Sequence, residues 1–314
     1  MTNIYKLTIE PVTSFGTPLQ SDTIFGHLMW ALRYREGEEA LAGFLDLYRA
    51  GKPPLLVSAG FPAGTLPAPV LRVGRGQKVG AYLPLRQWRE IAPRLSGDAL
   101  WRAHLEAREE VRTIRDEEVK HGVVGTAVDR ITGSAREGRL FVSMETFYGP
   151  QRRFEIWHKV DETEEGLLDR LAVWWRWVER NGFGRGKSRG HGAFRIEEKD
   201  GQMLEPADGQ LPQVAQPNGF VTLSAWVPEA GDPTNVTYRT RIKRGKLAEA
   251  RAIPSPWKKP LLMLEPGAVA RLGKQDGDLR QWYGRLVEDV HWTEHDVVQY
   301  GYAFPLPVRV ERGA

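Results

Sequence analysis

Apolar and polar positions alternate over residues 3–12, NIYKLTIEPV, with Tyr5, Leu7 and Ile9 on one face, the pattern of a strand buried on one side. The period then changes. Phe25, Leu28, Met29 and Leu32 recur at helical spacing behind Ser21 and Asp22, either of which suits an N-cap. A second helix is predicted over 38–50, closed by Gly51. Five prolines within 52–71 allow a short strand and an extended connection but no helix. Residues 72–80, RVGRGQKVG, are basic, glycine-spaced and poor in apolar side chains, which predicts an exposed, mobile loop. Residues 84–119 read as mostly helical and then strand-like, and 121–138 as turn-rich.

Strands are predicted at 139–148 and 152–160, joined through Gly149–Pro150 as a hairpin. Thr163 is placed to cap a helix to about Arg180, whose stripe is Leu167, Leu168, Leu171, Trp174, Trp175 and Val178 and which stops at Asn181–Gly182. A glycine-rich loop, 182–192, leads into a strand at 193–198. This order of strand, helix, strand, strand, helix, strand, with insertions, fits a ferredoxin-like βαββαβ unit over 1–199. Residues 200–218 are polar and proline-rich, the composition of a linker. The remainder, 219–314, is strand-rich (219–227, 236–243, 260–264, 267–272 and 297–310), with a helix or strand near 278–289.

Length, composition and charge add four points. At 314 residues the chain has room for about two domains. It has no cysteine, which removes disulfides, thiolate zinc sites, iron–sulfur clusters and Cys nucleophiles. Its N-terminus carries no basic-then-apolar signal and no apolar run approaches membrane-spanning length, so a soluble, cytoplasmic protein is expected. The net charge of +4 conceals segregation: 70–94, 181–195 and 236–260 carry +5, +4 and +7, leaving −12 on the rest. Basic stretches on an otherwise acidic body suit a polyanion partner.

The glycine-rich loop is the most unusual segment. Gly182, Gly184, Gly186, Gly190 and Gly192 alternate with Arg185, Lys187, Ser188, Arg189 and His191. Glycines admit close backbone approach and the cations supply charge, a combination suited to phosphate. The alternative is a mobile turn between helix and strand. A P-loop and a dinucleotide fingerprint both fail on context, because this loop follows a helix and opens a strand. Arg72, Arg75 and Lys78 are either a solvated loop or a backbone-binding arm. Period two places Arg239, Arg241 and Lys243 on one strand face, with Arg244 beside them. Such a face needs a partner anion or acids opposite it, and the polyanion is the expectation adopted here. His27 is either a helix histidine with one hydrogen bond or a general acid/base for RNA cleavage. His291 and His295 have metal-ligand spacing but no evident third ligand, so no metal or cofactor is expected. Trp88, Trp226 and Trp257 lie near basic segments, where indoles can stack on bases.

Several blocks, in order along nearly the whole chain, carry a family resemblance. They are Phe15–Gly16 followed by SDTIFGHLMWAL (21–32), FPAGTLPAP (61–69), RVGRGQKVGAYLPLRQW (72–88), VDRITGSAREGRLF (128–141), GFGRGKSRGHGAF (182–194), RIKRGKL (241–247), LMLEPGAV (262–269) and QYGYAFPLPV (299–308). The chain resembles the RAMP proteins of CRISPR effector complexes, and within them the fourth-subunit family of type III-A (Csm) complexes, which caps the 5′ end of the guide RNA. One departure stands at 72–80, where a lysine-dense run is expected and the cations are instead spread through glycines. The resemblance implies an α+β fold of two ferredoxin-like (RRM-like) units, the second degenerate. It implies a non-catalytic scaffold that holds the repeat-derived 5′ tag of crRNA. It also implies docking on the large polymerase/nuclease subunit and the first backbone subunit, with target RNA met only indirectly. It adds Phe15, Gly16 and Arg130 to the RNA-contact candidates above. A pre-crRNA endoribonuclease using His27 is the alternative on the same fold.

Overall fold

The computed structural model describes residues 2–129, 131–247, 255–273 and 276–311. Strand β1 (Thr2–Pro11) leads into helices α1 (Ser21–Glu36) and α2 (Glu38–Arg49), and then strand β2 (Leu55–Pro62). An insertion follows: strands β3 (Thr65–Pro67) and β4 (Tyr82–Pro84), helices α3 (Leu85–Ile91), α4 (Gly97–Glu106) and α5 (Arg108–Asp116), and strands β5 (Glu118–Val128) and β6 (Ala135–Tyr148). Strand β7 (Phe154–Asp161), helix α6 (Leu167–Asn181) and strand β8 (Phe194–Ile196) complete the first unit.

Its sheet has the order β2-β7-β1-β8, all antiparallel. Tyr5, Leu7 and Ile9 lie opposite His158, Ile156 and Phe154, so the alternation in β1 is matched across the ladder. The helices cover that face. Phe25, Leu28 and Leu32 of α1 and Leu171, Trp174, Trp175 and Val178 of α6 are buried in one hydrophobic cluster with it. The Trp175 indole donates to Nε2 of His158 at 3.0 Å, joining helix to sheet where both are buried.

Several expectations shift. The predicted hairpin of 139–148 with 152–160 does not form: β6 pairs with β5, residue Thr126 against Leu140 and Glu118 against Tyr148. Residues 118–128, partly read as turns because of their glycines, are thus a strand. Beyond the end of β5 the Asp129 carboxylate accepts from the N–H groups of Ile131 and Thr132. Thr163 does not cap α6; Gly166 does, in the left-handed region at φ 68°. The segment expected as a linker is packed down. Strand β9 (Leu204–Pro206) pairs with β1, and Ala207 and Leu211 are buried.

The remaining strands are β10 (Gly219–Thr222), β11 (Asn235–Thr237), β12 (Thr240–Lys243), β13 (Leu261–Leu264), β14 (Val269–Arg271), β15 (Tyr283–Val287), β16 (Gln299–Ala303) and β17 (Pro305–Val308). One antiparallel sheet has the order β11-β14-β10-β17, and the pairs β12-β13 and β15-β16 flank it. Among the described residues of 219–311 there is no helix. The two parts share a core: Tyr300, Tyr302 and Phe304 join the cluster of the first unit, with Tyr300 stacked on Phe25 at 4.4 Å. No helix among the described residues is long and apolar enough to cross a membrane.

Candidate nucleic-acid interface

The glycine-rich loop begins where α6 ends and returns to the sheet at β8. All five of its glycines have positive φ, from 69° to 85°. Two positions show why side chains are excluded. A Cβ on Gly192 lies 1.9 Å from the Phe183 carbonyl oxygen, and one on Gly184 lies 2.7 Å from Cβ of Thr17. The loop is therefore tightly built. Phe183 is buried beside Phe15, at 6.0 Å, and His27, at 4.8 Å between ring centres. The N–H of Phe183 donates to Gly192, that of Gly192 to the Ser14 carbonyl, and that of Arg185 to the Thr17 hydroxyl at 3.0 Å.

This alters the chemistry expected of the loop. Most of its N–H groups are already bonded, those of Phe183, Arg189, Gly190 and His191 within the loop and those of Gly184, Arg185 and Gly192 to His27, Thr17 and Ser14. The N–H groups of Gly186, Lys187 and Ser188 have no partner among the described residues. Ser188 and Arg189 are exposed and Lys187 is half-buried, its ammonium 5.8 Å from the centre of the Trp177 ring. Arg185 is exposed but committed, donating from Nη2 to the Met144 carbonyl at 2.6 Å. His191 Nδ1 lies 2.9 Å from the Ser14 hydroxyl and 3.0 Å from the buried Glu145 carboxylate, tying the loop to β6. A cleft of about 480 Å³ opens there between β1, the β5–β6 hairpin and the loop.

Phe15 and Gly16 are placed differently from expectation. Phe15 is buried, its backbone pairs with Thr146, and its ring packs on Tyr148 and Phe183, so its side chain offers RNA no surface. Gly16 lets the Arg185 carbonyl approach, since a Cβ there lies 2.9 Å from that oxygen. Both residues position the loop.

The basic strand resolves the choice its pattern left open. Asp22, in the first turn of α1, lies opposite: Arg241 reaches it at 2.6 Å and Lys243 at 2.8 Å. Burial pushes the Asp22 carboxyl up, but Lys243 and Arg241 together hold it below the usual carboxylate range. Lys243 also donates to Thr23, and Gln299 donates to Asp22. Two of the predicted phosphate ligands thus form a buried ion-pair network with an acid distant in sequence. Arg239 and Arg244 remain exposed, Arg244 lying 5.9 Å from the centre of the Trp257 ring.

Arg72, Arg75 and Lys78 are exposed, as expected. Their loop rests on α4 and on the turn before β14. Gly97 lies against the Arg72 carbonyl, and the Val70 N–H donates to Gly267. It does not contact the 182–192 loop through any hydrogen bond or ion pair among the described residues. Arg130 lies outside the described residues. Of the three tryptophans considered for stacking, Trp88 and Trp226 are fully buried and Trp257 is exposed.

His27 is half-buried and accepts the Gly184 N–H at Nε2, at 3.0 Å. Burial, reinforced by Lys187 and Lys243, lowers its pKa to about 3. A neutral ring committed as an acceptor does not suit general acid or base work at a surface. His291 is buried and accepts the N–H groups of Thr293 and Glu294, while His295 faces Asp289. The described residues hold no group of three metal-ligating side chains.

No family model and no curated protein matches this chain. Solved structures do, over its whole length. A chain of the Csm3–Csm4 subcomplex in the type III-A CRISPR-Cas interference complex aligns with a TM-score of 0.66 at 14% identity, covering 98% of this chain and 99% of that one. A chain of the Csm1–Csm4 cassette in complex with pppApA aligns at 0.54 and 14%, covering all of both. The same cassette with cA4 gives 0.53 and 14%, covering 99% and 100%. The chain thus has a RAMP-like fold, the class found in type III CRISPR effector assemblies. Csm4 is the component common to all three structures, and the fold is Csm4-like, as the sequence blocks implied.

Proposed function

We propose that this chain is an RNA-binding scaffold subunit of a type III-A CRISPR interference complex. In this reading it holds the repeat-derived 5′ tag of crRNA and docks on a Csm1-like large subunit and a Csm3-like backbone subunit. The observation that carries it is full-length likeness to a chain of the Csm3–Csm4 subcomplex. The neighbours place Csm4 beside Csm1 and Csm3, which supports the same partners here. The first unit is ferredoxin-like in this reading, supported by its βαββαβ order and by the strand order β2-β7-β1-β8. The part over 219–314 is its degenerate, strand-built counterpart.

Within the site, Lys187, Ser188 and Arg189 face the tag phosphates, with Arg239 and Arg244 as outlying cations. Arg72, Arg75 and Lys78 serve as a separate arm within the insertion. Phosphate contacts of this kind fix register without reading sequence. The reading is non-catalytic because His27, its strongest catalytic candidate, is spent on the loop. Purification of the assembled complex tests it: a uniform 5′ RNA end retained with this subunit supports it, and a complex that assembles fully without this chain while keeping its RNA overturns it.

A further inference from the structure

Helices α1 and α6 lie side by side and run in opposite directions. His27 meets Gly184 just past the end of α6, and Glu36 meets Arg170 near its start. Along the outer side of this seam Trp30, Tyr34 and Trp177 form a continuous stack. The rings of Tyr34 and Trp177 are 5.3 Å apart with planes 17° apart, and Trp30 follows Tyr34 at 5.7 Å and 31°. A cation closes each end. The Arg33 guanidinium lies 4.9 Å from the Trp30 ring centre, and the Lys187 ammonium 5.8 Å from that of Trp177.

Only the Trp177 end of this ladder packs against the core. Trp174 and Trp175 supply the buried indoles of α6, whereas Tyr34 is 58% exposed. The surrounding charge is one-sided. Glu36 is held by Arg170 and Glu38 by Arg33. Arg35 and Arg180 are exposed with no hydrogen-bond or ion-pair partner among the described residues. The ladder also begins at a residue of the glycine-rich loop, because Lys187 is both its terminal cation and a candidate phosphate ligand.

We propose that the ladder is a stacking track for the bases of single-stranded RNA leaving the glycine-rich loop. This rests on the RNA-binding reading above. Aromatic faces stack on any base, so the track is tolerant of sequence. In the free protein Lys187 and Arg33 cover the two terminal indoles through cation–π contacts. On binding, a base takes each cation's place over the ring, and the cation moves out to the neighbouring phosphate, with Arg180 and Arg35 beside it. A protein partner is the competing occupant. The unpaired arginines and the continuity with the loop favour a polyanion.

Fluorescence anisotropy on the full-length chain tests this, using a labelled oligouridylate and an abasic oligonucleotide of equal length. The wild type is expected to bind the oligouridylate more tightly. Trp30→Ala, which removes one terminal ring, is expected to weaken oligouridylate binding about tenfold, the loss of one stacked base, while leaving the abasic affinity unchanged. Trp30→Phe, which keeps an aromatic face, is expected to retain most of the affinity, and Trp177→Ala gives an independent measurement should Trp30→Ala lower the melting temperature. A Trp30→Ala chain of unchanged melting temperature that binds oligouridylate like wild type overturns the track and leaves the RNA-binding reading standing. A wild type that binds neither oligonucleotide overturns both. Normal RNA binding with loss of a co-purifying protein subunit overturns the track in favour of a protein contact.

Discussion

Gly184 donates its backbone N–H to Nε2 of His27 across 3.0 Å, so a helix residue 157 positions away holds the glycine-rich loop in place. The bond needs a neutral imidazole. Burial keeps both His27 and His158 at a pKa of about 3. An unfolded histidine titrates near 6.5, so between these values the unfolded chain binds more protons. The contribution of each ring is therefore complete above about pH 6.5 and is lost as pH falls toward 3, at up to roughly 1.4 kcal/mol per pH unit per histidine. Chemical denaturation across pH 5–8 is expected to show stability falling on the acid side. His27→Gln, which keeps an acceptor but takes up no proton, is expected to reduce that slope by one proton. Equal slopes in the two proteins contradict this account of His27.

Two glycines of one loop are expected to respond very differently to alanine. Gly190 has φ 85° but open space around a Cβ, so Gly190→Ala meets only the left-handed penalty, roughly 1–2 kcal/mol. At Gly192 the same backbone strain is joined by a Cβ 1.9 Å from the Phe183 carbonyl. Gly192→Ala is expected to lose clearly more stability and to release Phe183 from the core. Urea midpoints for the pair decide the point, and similar losses contradict a rigid loop.

Much of the architecture was visible in the sequence. The alternation in β1 and the helical stripes of α1 and α6 depend on local periodicity, which the sheet and its helices keep. The β5–β6 hairpin was not visible, because its outward face carries Val124, Leu140 and Val142, all largely exposed, and its strand is broken by Gly122 and Gly125. Nothing in its spacing separates such a strand from a turn-rich loop. At the site, the loop and its cations were legible, but their partners were not. Asp22 reads locally as a helix cap, and only the folded chain places it under Arg241 and Lys243. The Ser14–Glu145–His191 contact likewise joins three segments remote in sequence.

The Asp22 network makes a prediction about stability. Its carboxylate is fully buried and neutralises two cations that are themselves mostly buried. Asp22→Ala leaves those charges without their anion and is expected to cost roughly 3–5 kcal/mol. Arg241→Met leaves Asp22 paired with Lys243 and is expected to cost less. Thermal melts of the two variants test the order, and a neutral Asp22→Ala contradicts the assignment of Arg241 and Lys243 to the fold.

The last prediction separates cations that hold RNA from cations that hold the protein. Each phosphate neutralised on a single strand contributes about −0.7 to the slope of log affinity against log salt. Lys187→Ala combined with Arg189→Ala removes two exposed-side contacts of the loop, so the slope is expected to become shallower by about 1.4 while the melting temperature stays nearly constant. Arg241→Met is expected to behave in the opposite way, with a lower melting temperature and an unchanged salt slope, because its guanidinium faces Asp22 instead of solvent. Filter-binding titrations with guide RNA over 50–300 mM salt, run on both variants, measure the contrast. If Arg241→Met flattens the slope and the loop variant does not, the RNA contacts lie on β12 and the loop assignment is wrong.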